Sequence, residues 1–316
     1  HADIRGTAQN PDVYFQNREA CNPYYNAFAG VVERQMERVA ALTGRPIHLF
    51  DYVGAPDAEN IIVSMGSSCE VIEETVSYLN ARGYNVGAVK VRLYRPFAID
   101  RFLSVIPPTV KRIAVLDRTK EPGAVGEPLF VDVACAVQRS GRQIKVIGGR
   151  YGLSSKEFDP TMVKAVYDHL SSAVPFTGFT VGINDDVTHL SLPAGDPIFI
   201  SPAGMIQAQF YGIGADGTVG ATKQAASIIG DSDRYYAQAY FQYSAKKSGG
   251  YTVSQLRVST APVKSEYCIE KADYVACNKD TYVRKFDLTS NLKAGGILVL
   301  ASSRDVDKMT EIFPAS

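Results

Sequence analysis

The run Ile206–Ser227, IQAQFYGIGADGTVGATKQAAS, holds the residues best suited to chemistry. Glycines at 212, 214, 217 and 220 lie between an apolar, β-prone run and a helical pattern carrying Lys223. The order Gly212-x-Gly214-x-x-Gly217 lets a backbone turn tightly and come close to a ligand. The first turn of a following helix then has N–H groups to offer an anion. The chemistry indicated is phosphate binding. A nicotinamide-type site would add an acid for the adenosine ribose, about 20 residues after the last glycine. Here the next strand runs into QYSAKKSGG, with Lys246 and Lys247 where an acid would stand. Lysines suit an additional phosphate on that ribose, which both NADP and coenzyme A carry. NAD is thereby disfavoured, and the other two remain open. A solvated turn is the competing reading of KKSGG, and an exposed helix face is the better reading of Lys223.

Other reactive residue types are isolated. Cys69 stands at the start of a helical pattern, where a thiolate is favoured. No histidine or second cysteine is near it in sequence, so a buried structural thiol is expected. The loop Asp117–Pro128, DRTKEPGAVGEP, mimics an anion-binding turn through Arg118, Lys120 and Gly123, but reads better as structural or as an interface. Asp185 and Asp186 fit capping or solvation better than a metal, and His189 a hydrogen-bonded structural role. Asn278, in the turn ACNKDTY, is a candidate to line the ligand cleft. The five cysteines form no CxxC pair and the four histidines have no metal-ligand spacing, so no zinc or iron–sulfur site is expected in this chain.

The elements that must position these residues fall into three stretches. Residues 17–43 carry apolar side chains at helical spacing, and Gly44-Arg45-Pro46 ends that helix. A lone helix makes no core, so this stretch reads as the end of something begun upstream. From Asn60, strands such as IIVSMG and RIAVLDR alternate with amphipathic helices such as SSCEVIEETVSYLNARG. Several strands are apolar on both faces, which is the mark of a parallel sheet covered by helices. The turn-rich stretch Thr177–Pro197 reads as a linker or connecting arm. A second α/β unit follows, with strands expected at Tyr235–Ala245, Thr252–Thr260 and near the C-terminus, and its sheet looks incomplete.

The 316 residues suffice for about two domains. Thirty-three basic residues balance 33 acidic ones, which argues against a broad nucleic-acid surface. No run reaches the roughly 18 apolar residues of a membrane span, and the N-terminus lacks the order of a signal peptide. The opening at His1 reads as a processed, tagged or excised segment. Odd, scattered thiols fit a reducing compartment.

Together the motifs resemble one family, pyruvate:ferredoxin (or flavodoxin) oxidoreductase. The resemblance runs through GTAQNPDVYFQNREACNPYY (6–25), HLFDYVGAPDAENIIVSMGSSCEVIEE (48–74), VKVRLYRPF (89–97) and AVLDRTKEPGAVGEPL (114–129). It continues in GGRYGLSSKEF (148–158), FTVGINDDVTH (179–189), GADGTVGATK (214–223) and YSAKKSGG (243–250).

The resemblance implies an enzyme that oxidatively decarboxylates pyruvate to acetyl-CoA and carbon dioxide, passing electrons through iron–sulfur clusters to ferredoxin or flavodoxin. Residues 1–50 would be the end of the thiamine-pyrimidine domain. Residues 51–205 would be a transketolase C-terminal-like parallel-sheet domain, and 206–316 the start of an incomplete coenzyme A-binding α/β domain. The ligand of the glycine loop is then coenzyme A. Its loop maps onto Ala215, Asp216, Gly217, Thr218 and Val219. Backbone N–H groups and the Thr218 hydroxyl would meet the pyrophosphate, and Lys247, with Lys246 a close rival, would meet a phosphate. Thr222 departs from the asparagine common at that position in the family. Thiamine diphosphate, magnesium and the iron–sulfur clusters would belong to parts of the enzyme absent from this chain. By the same resemblance the chain is inactive alone, and the intact enzyme is a homodimer in the cytoplasm or in an anaerobic energy organelle. Its partners would be its own remaining domains and, through them, the electron carrier. A non-catalytic interdomain scaffold is the alternative, with an NADP-binding Rossmann protein further behind.

Overall fold

The computed structural model describes residues 8–184, 187–244, 250–305, 307, 308 and 313. The chain divides into two compact units, residues 1–158 with 162–195, and residues 159–161 with 196–316.

The first unit begins with α1 (Pro11–Glu19) and α2 (Asn22–Thr43). The helix expected over 17–43 is therefore interrupted at residues 20 and 21. Pro23 follows the break and has no N–H for an i→i−4 bond, so the chain restarts there. Gly44, in the left-handed region at φ 69°, closes α2 as its glycine anticipates. The alternating order continues through β1 (Phe50–Gly54), β2 (Asn60–Met65), α3 (Ser68–Asn80), β3 (Val86–Val91), α4 (Ile99–Val105), β4 (Arg112–Asp117), α5 (Pro128–Ser140), β5 (Lys145–Arg150), α6 (Pro160–Ser171) and β6 (Phe179–Thr180).

The sheet order is β1-β3-β2-β4-β5-β6. All neighbours are parallel except β1, which pairs antiparallel with β3 at the edge. Ile61, Ile62 and Val63 are consecutive and fully buried, because both faces of β2 are covered. On α5 the buried set Leu129, Val133, Ala136 and Val137 recurs at helical spacing and meets the sheet. The linker reading of Thr177–Pro197 is corrected at its start. Phe179 and Val181 are completely buried, β6 pairs with β5, and Thr180 bridges to Ser191. Apolar residues in a turn-rich stretch were here closing the sheet edge.

The second unit contains β7 (Ile206–Ile213), α7 (Thr218–Gly230), β8 (Tyr236–Tyr243), β9 (Tyr251–Ser259), β10 (Ala272–Cys277), a short 3₁₀ turn (Asp280–Arg284) and β11 (Leu292–Leu300). Its order is β11-β10-β7-β9-β8. β7, β10 and β11 run parallel, while β9 is antiparallel to both β7 and β8. The strand after the helix thus lies at the far edge, and its return partner β9 occupies the place beside β7. The short 244–250 connection accounts for this, because only antiparallel neighbours can be joined so briefly. The fold is α/β throughout, built on one largely parallel sheet and one mixed sheet.

Candidate functional site

The loop between β7 and α7 is organised by one carboxylate. Asp216 accepts the Ile213 N–H at 2.8 Å on Oδ2 and the Thr218 N–H at 2.9 Å on Oδ1. Its own N–H donates to the Ile213 carbonyl at 3.0 Å, so the turn is closed from both sides. Partial burial alone would raise this carboxyl. Hydrogen bonds from the Thr218 side chain and N–H and from the Ile213 N–H outweigh it and hold Asp216 below the usual carboxylate range.

Two glycines are required here for different reasons. Gly217 caps α7 at φ 87°, a left-handed conformation that costs an L side chain energy. Gly212 has ordinary φ but no room: a Cβ there would lie 2.7 Å from Asp216 Oδ2 and 2.8 Å from Thr218 Cβ. The loop folds down onto the strand it leaves. Gly214 and Gly220 face open space or a lone carbonyl 3.8 Å away, so the spaced-glycine pattern is only partly a steric requirement.

Both neighbours of β7 hold this loop. On the β9 side the Gly214 N–H donates to the Gly250 carbonyl at 3.2 Å. On the β10 side Asn278 donates from Nδ2 to Thr218 Oγ1 at 2.7 Å, and from its backbone N–H to the Tyr211 carbonyl at 2.9 Å. Thr222 Oγ1 donates back to the Thr218 carbonyl, the ordinary i−4 bond of a helical threonine. The departure at 222 is absorbed inside the helix.

Gly214, Ala215, Asp216 and Gly217 are exposed, Val219 is half-buried and Thr218 is buried. The Thr218 hydroxyl, read from sequence as a phosphate contact, is instead engaged by Asn278 and Asp216. The N–H groups of Ala215, Gly217, Val219 and Gly220 have no acceptor among the described residues. An exposed loop with such donors at a helix start fits an anionic group such as a pyrophosphate. Lys223 is exposed on α7, with Nζ 5.4 Å from the Phe241 ring centre, in keeping with the helix-face reading. Lys246 and Lys247 lie outside the described residues, as do Asp185 and Asp186. Gly250, directly after the lysine segment, is the residue bonded to the loop.

Cys69 and the two ends of the Asp117–Pro128 loop take structural places. Cys69 is buried on α3 and donates to the Ser64 carbonyl, and burial pushes its thiol up to about 11. Asp117 is buried and accepts the Leu129 and Phe130 N–H groups at the start of α5. Glu127, at the end of the same loop, pairs with Arg150 at 2.6 Å. The ends of that loop thus serve a helix cap and an ion pair, while Arg118, Lys120 and Gly123 between them are exposed. His189 is exposed, with φ 57°. Among the described residues no three His, Cys, Asp or Glu side chains gather as metal ligands. No helix of the described residues is long and apolar enough to cross a membrane.

The turn ACNKDTY marked Asn278 as a candidate to line a cleft, and nothing in the sequence signalled its tie to Thr218. The Gly250 contact had no signal at all, because it depends on β9 lying beside β7.

Residues 207–314 match the family described as pyruvate ferredoxin/flavodoxin oxidoreductase, and residues 58–163 match pyruvate:ferredoxin oxidoreductase core domain II. The pyruvate:ferredoxin oxidoreductase of Moorella thermoacetica is 57% identical over 315 residues, covering 100% of this chain and 27% of that protein. The pyruvate-flavodoxin oxidoreductase of Enterobacter agglomerans is 51% identical, again over 100% of this chain and 27% of its own length. A probable pyruvate-flavodoxin oxidoreductase of Escherichia coli is 48% identical, over 99% and 27% respectively. The chain therefore spans about a quarter of the length of the curated relatives it matches. Between them the two family matches take in most of the sequence, and the relatives align along essentially all of it. The chain belongs to the pyruvate:ferredoxin/flavodoxin oxidoreductase family.

Proposed function

We propose that this chain is a section of a larger enzyme that oxidatively decarboxylates pyruvate, forms acetyl-CoA and passes the electrons to ferredoxin or flavodoxin. Its own contribution is part of the coenzyme A site. The observation that carries this reading is the loop Ala215–Val219 at the start of α7, exposed at Ala215–Gly217, with N–H groups that have no acceptor among the described residues, in a chain 57% identical to an enzyme of that name. Backbone donors at Ala215, Gly217 and Val219 receive the pyrophosphate, Asp216 and Thr218 hold the loop's shape, and Lys247 supplies a charge to a further phosphate. Coenzyme A contributes the thiol that accepts the acetyl group. Thiamine diphosphate, magnesium and iron–sulfur clusters are held by other parts of the enzyme, which works as a homodimer in the cytoplasm or an anaerobic organelle.

The test is Lys247→Ala in the whole enzyme. Acetyl-CoA formation should fall while thiamine-dependent decarboxylation survives. An unchanged apparent affinity for coenzyme A would remove Lys247 from the site.

A second reading is favoured by a different observation. Tyr14, Phe15, Tyr24, Tyr25 and Phe28 are large apolar residues left exposed on α1 and α2, as an interdomain module would leave them. On that reading the chain is a scaffold that binds no ligand by itself. Calorimetric titration of the chain with coenzyme A separates the two: heat of binding supports the site, and its absence from a folded chain supports the scaffold. Tighter binding of NADPH than of coenzyme A would overturn both.

A further inference from the structure

We propose that Asn278 is the positioning residue of the glycine loop, acting through Thr218 and not on the ligand. The inference rests on the coenzyme A reading of that loop and goes beyond it by assigning what sets the loop's geometry. Thr218 is the first residue of α7, and its N–H is one of the two held by Asp216. Its hydroxyl is therefore the point at which helix start and loop carboxylate meet. Asn278 Nδ2 reaches that hydroxyl at 2.7 Å, while Asn278's backbone is tied to Tyr211 at the end of β7. The β10 terminus is thus bolted to the β7 terminus by main chain, and the side chain spans from there to the helix start.

The consequence is chemical. With its N–H donating to Asp216 and its hydroxyl accepting from Asn278, Thr218 has little rotational freedom left. The neighbouring N–H groups of Ala215, Gly217, Val219 and Gly220 are then fixed in direction before any anion arrives, which lowers the ordering cost of binding. Because the Asn278 main-chain bond survives substitution of its side chain, the side-chain contribution can be removed without unpicking the sheet.

The experiment uses the chain with Asn278→Ala, Thr218→Val and the two combined, read by hydrogen exchange and by titration with coenzyme A. Exchange of the hydrogen-bonded Ile213, Gly214, Asp216 and Thr218 amides should speed up several-fold in each variant, while exchange in Tyr274–Cys277 stays unchanged. Coenzyme A affinity should fall by about fivefold in each single variant, the range of one lost hydrogen bond. The double variant should be no worse than Thr218→Val alone, which already removes the Asn278 contact together with the hydroxyl's bond to Asp216. Unchanged exchange in the loop, or additive losses in the double variant, overturns the proposal. Asp216→Ala serves as reference. If it abolishes coenzyme A binding while Asn278→Ala leaves affinity intact, the positioning role falls and the coenzyme A reading stands. If exchange responds as expected but no variant, Asp216→Ala included, alters coenzyme A affinity, the positioning of the loop stands and the ligand is wrong. Should Asn278→Ala fail to fold, Thr218→Val removes the same bond from the other end.

Discussion

Asp216 is the residue on which the loop's acid stability turns. Its carboxyl is held below the ordinary value, so the folded loop binds the proton less readily than the unfolded chain does. The linked stabilisation is therefore present above the ordinary aspartate range and is lost as pH falls through the lowered folded value. Protection of the loop amides, taken relative to the intrinsic exchange rate at each pH, should be constant near neutrality and should fall on acidification below about pH 4. A loop that loosened between pH 6 and 8 would contradict this. Gly212 offers a steric counterpart. Gly212→Ala places a methyl against Asp216 and Thr218, and overpacking of this kind costs about 1–3 kcal/mol in chemical denaturation. Cys69 gives a third check: its raised thiol and burial predict no alkylation at pH 8 in the native chain, whereas exposed Cys135 reacts.

At the scale of elements, helices with a continuous apolar stripe were legible, and elements fixed by pairing partners were not. α3, α5 and β2 announce themselves through spacing and through runs of branched residues. β1 and β6 do not, because FDYVG and FT carry too little pattern and form only by meeting a ready edge. The candidate site divides in the same way. Glycine spacing located the loop, since Gly212 and Gly217 answer local backbone needs. The inward turn of Thr218 and the Gly250 contact come from strands distant in sequence, and nothing local encodes them. The cap of α5 is likewise remote: Asp117, from the end of β4, accepts its first N–H groups, while the N-cap residue Glu127 makes no side-chain cap. Asp117→Ala should therefore destabilise the first unit by about 1 kcal/mol, measured by denaturant midpoint. A variant as stable as the parent would show that those N–H groups find another partner.

The molecule as a whole pairs two α/β units with zero formal net charge. A balanced surface gives little electrostatic repulsion between copies, so solubility of the chain should pass through a minimum near neutral pH. Exposed aromatic residues on α1 and α2 add to this tendency. Tyr24→Ser with Tyr25→Ser and Phe28→Ser should raise solubility and reduce binding of a hydrophobic dye, with helix content retained. Equal dye binding by parent and variant would assign the exposed apolar surface elsewhere.

The antiparallel strand β9, lodged between β7 and β8, has a consequence for how such a site can change over time. It places Gly250, which follows the lysine-bearing connection in sequence, beside the loop, and a connection between antiparallel neighbours is a local element that can be lengthened, shortened or rewritten without disturbing sheet order. On the proposed function the donors to a phosphate are main-chain groups at the start of α7, whereas the lysines read as choosing the ligand belong in sequence to that interchangeable connection. On that proposal, affinity for a diphosphate and discrimination among its bearers are carried by separate parts, and selection can revise the second while leaving the first in place.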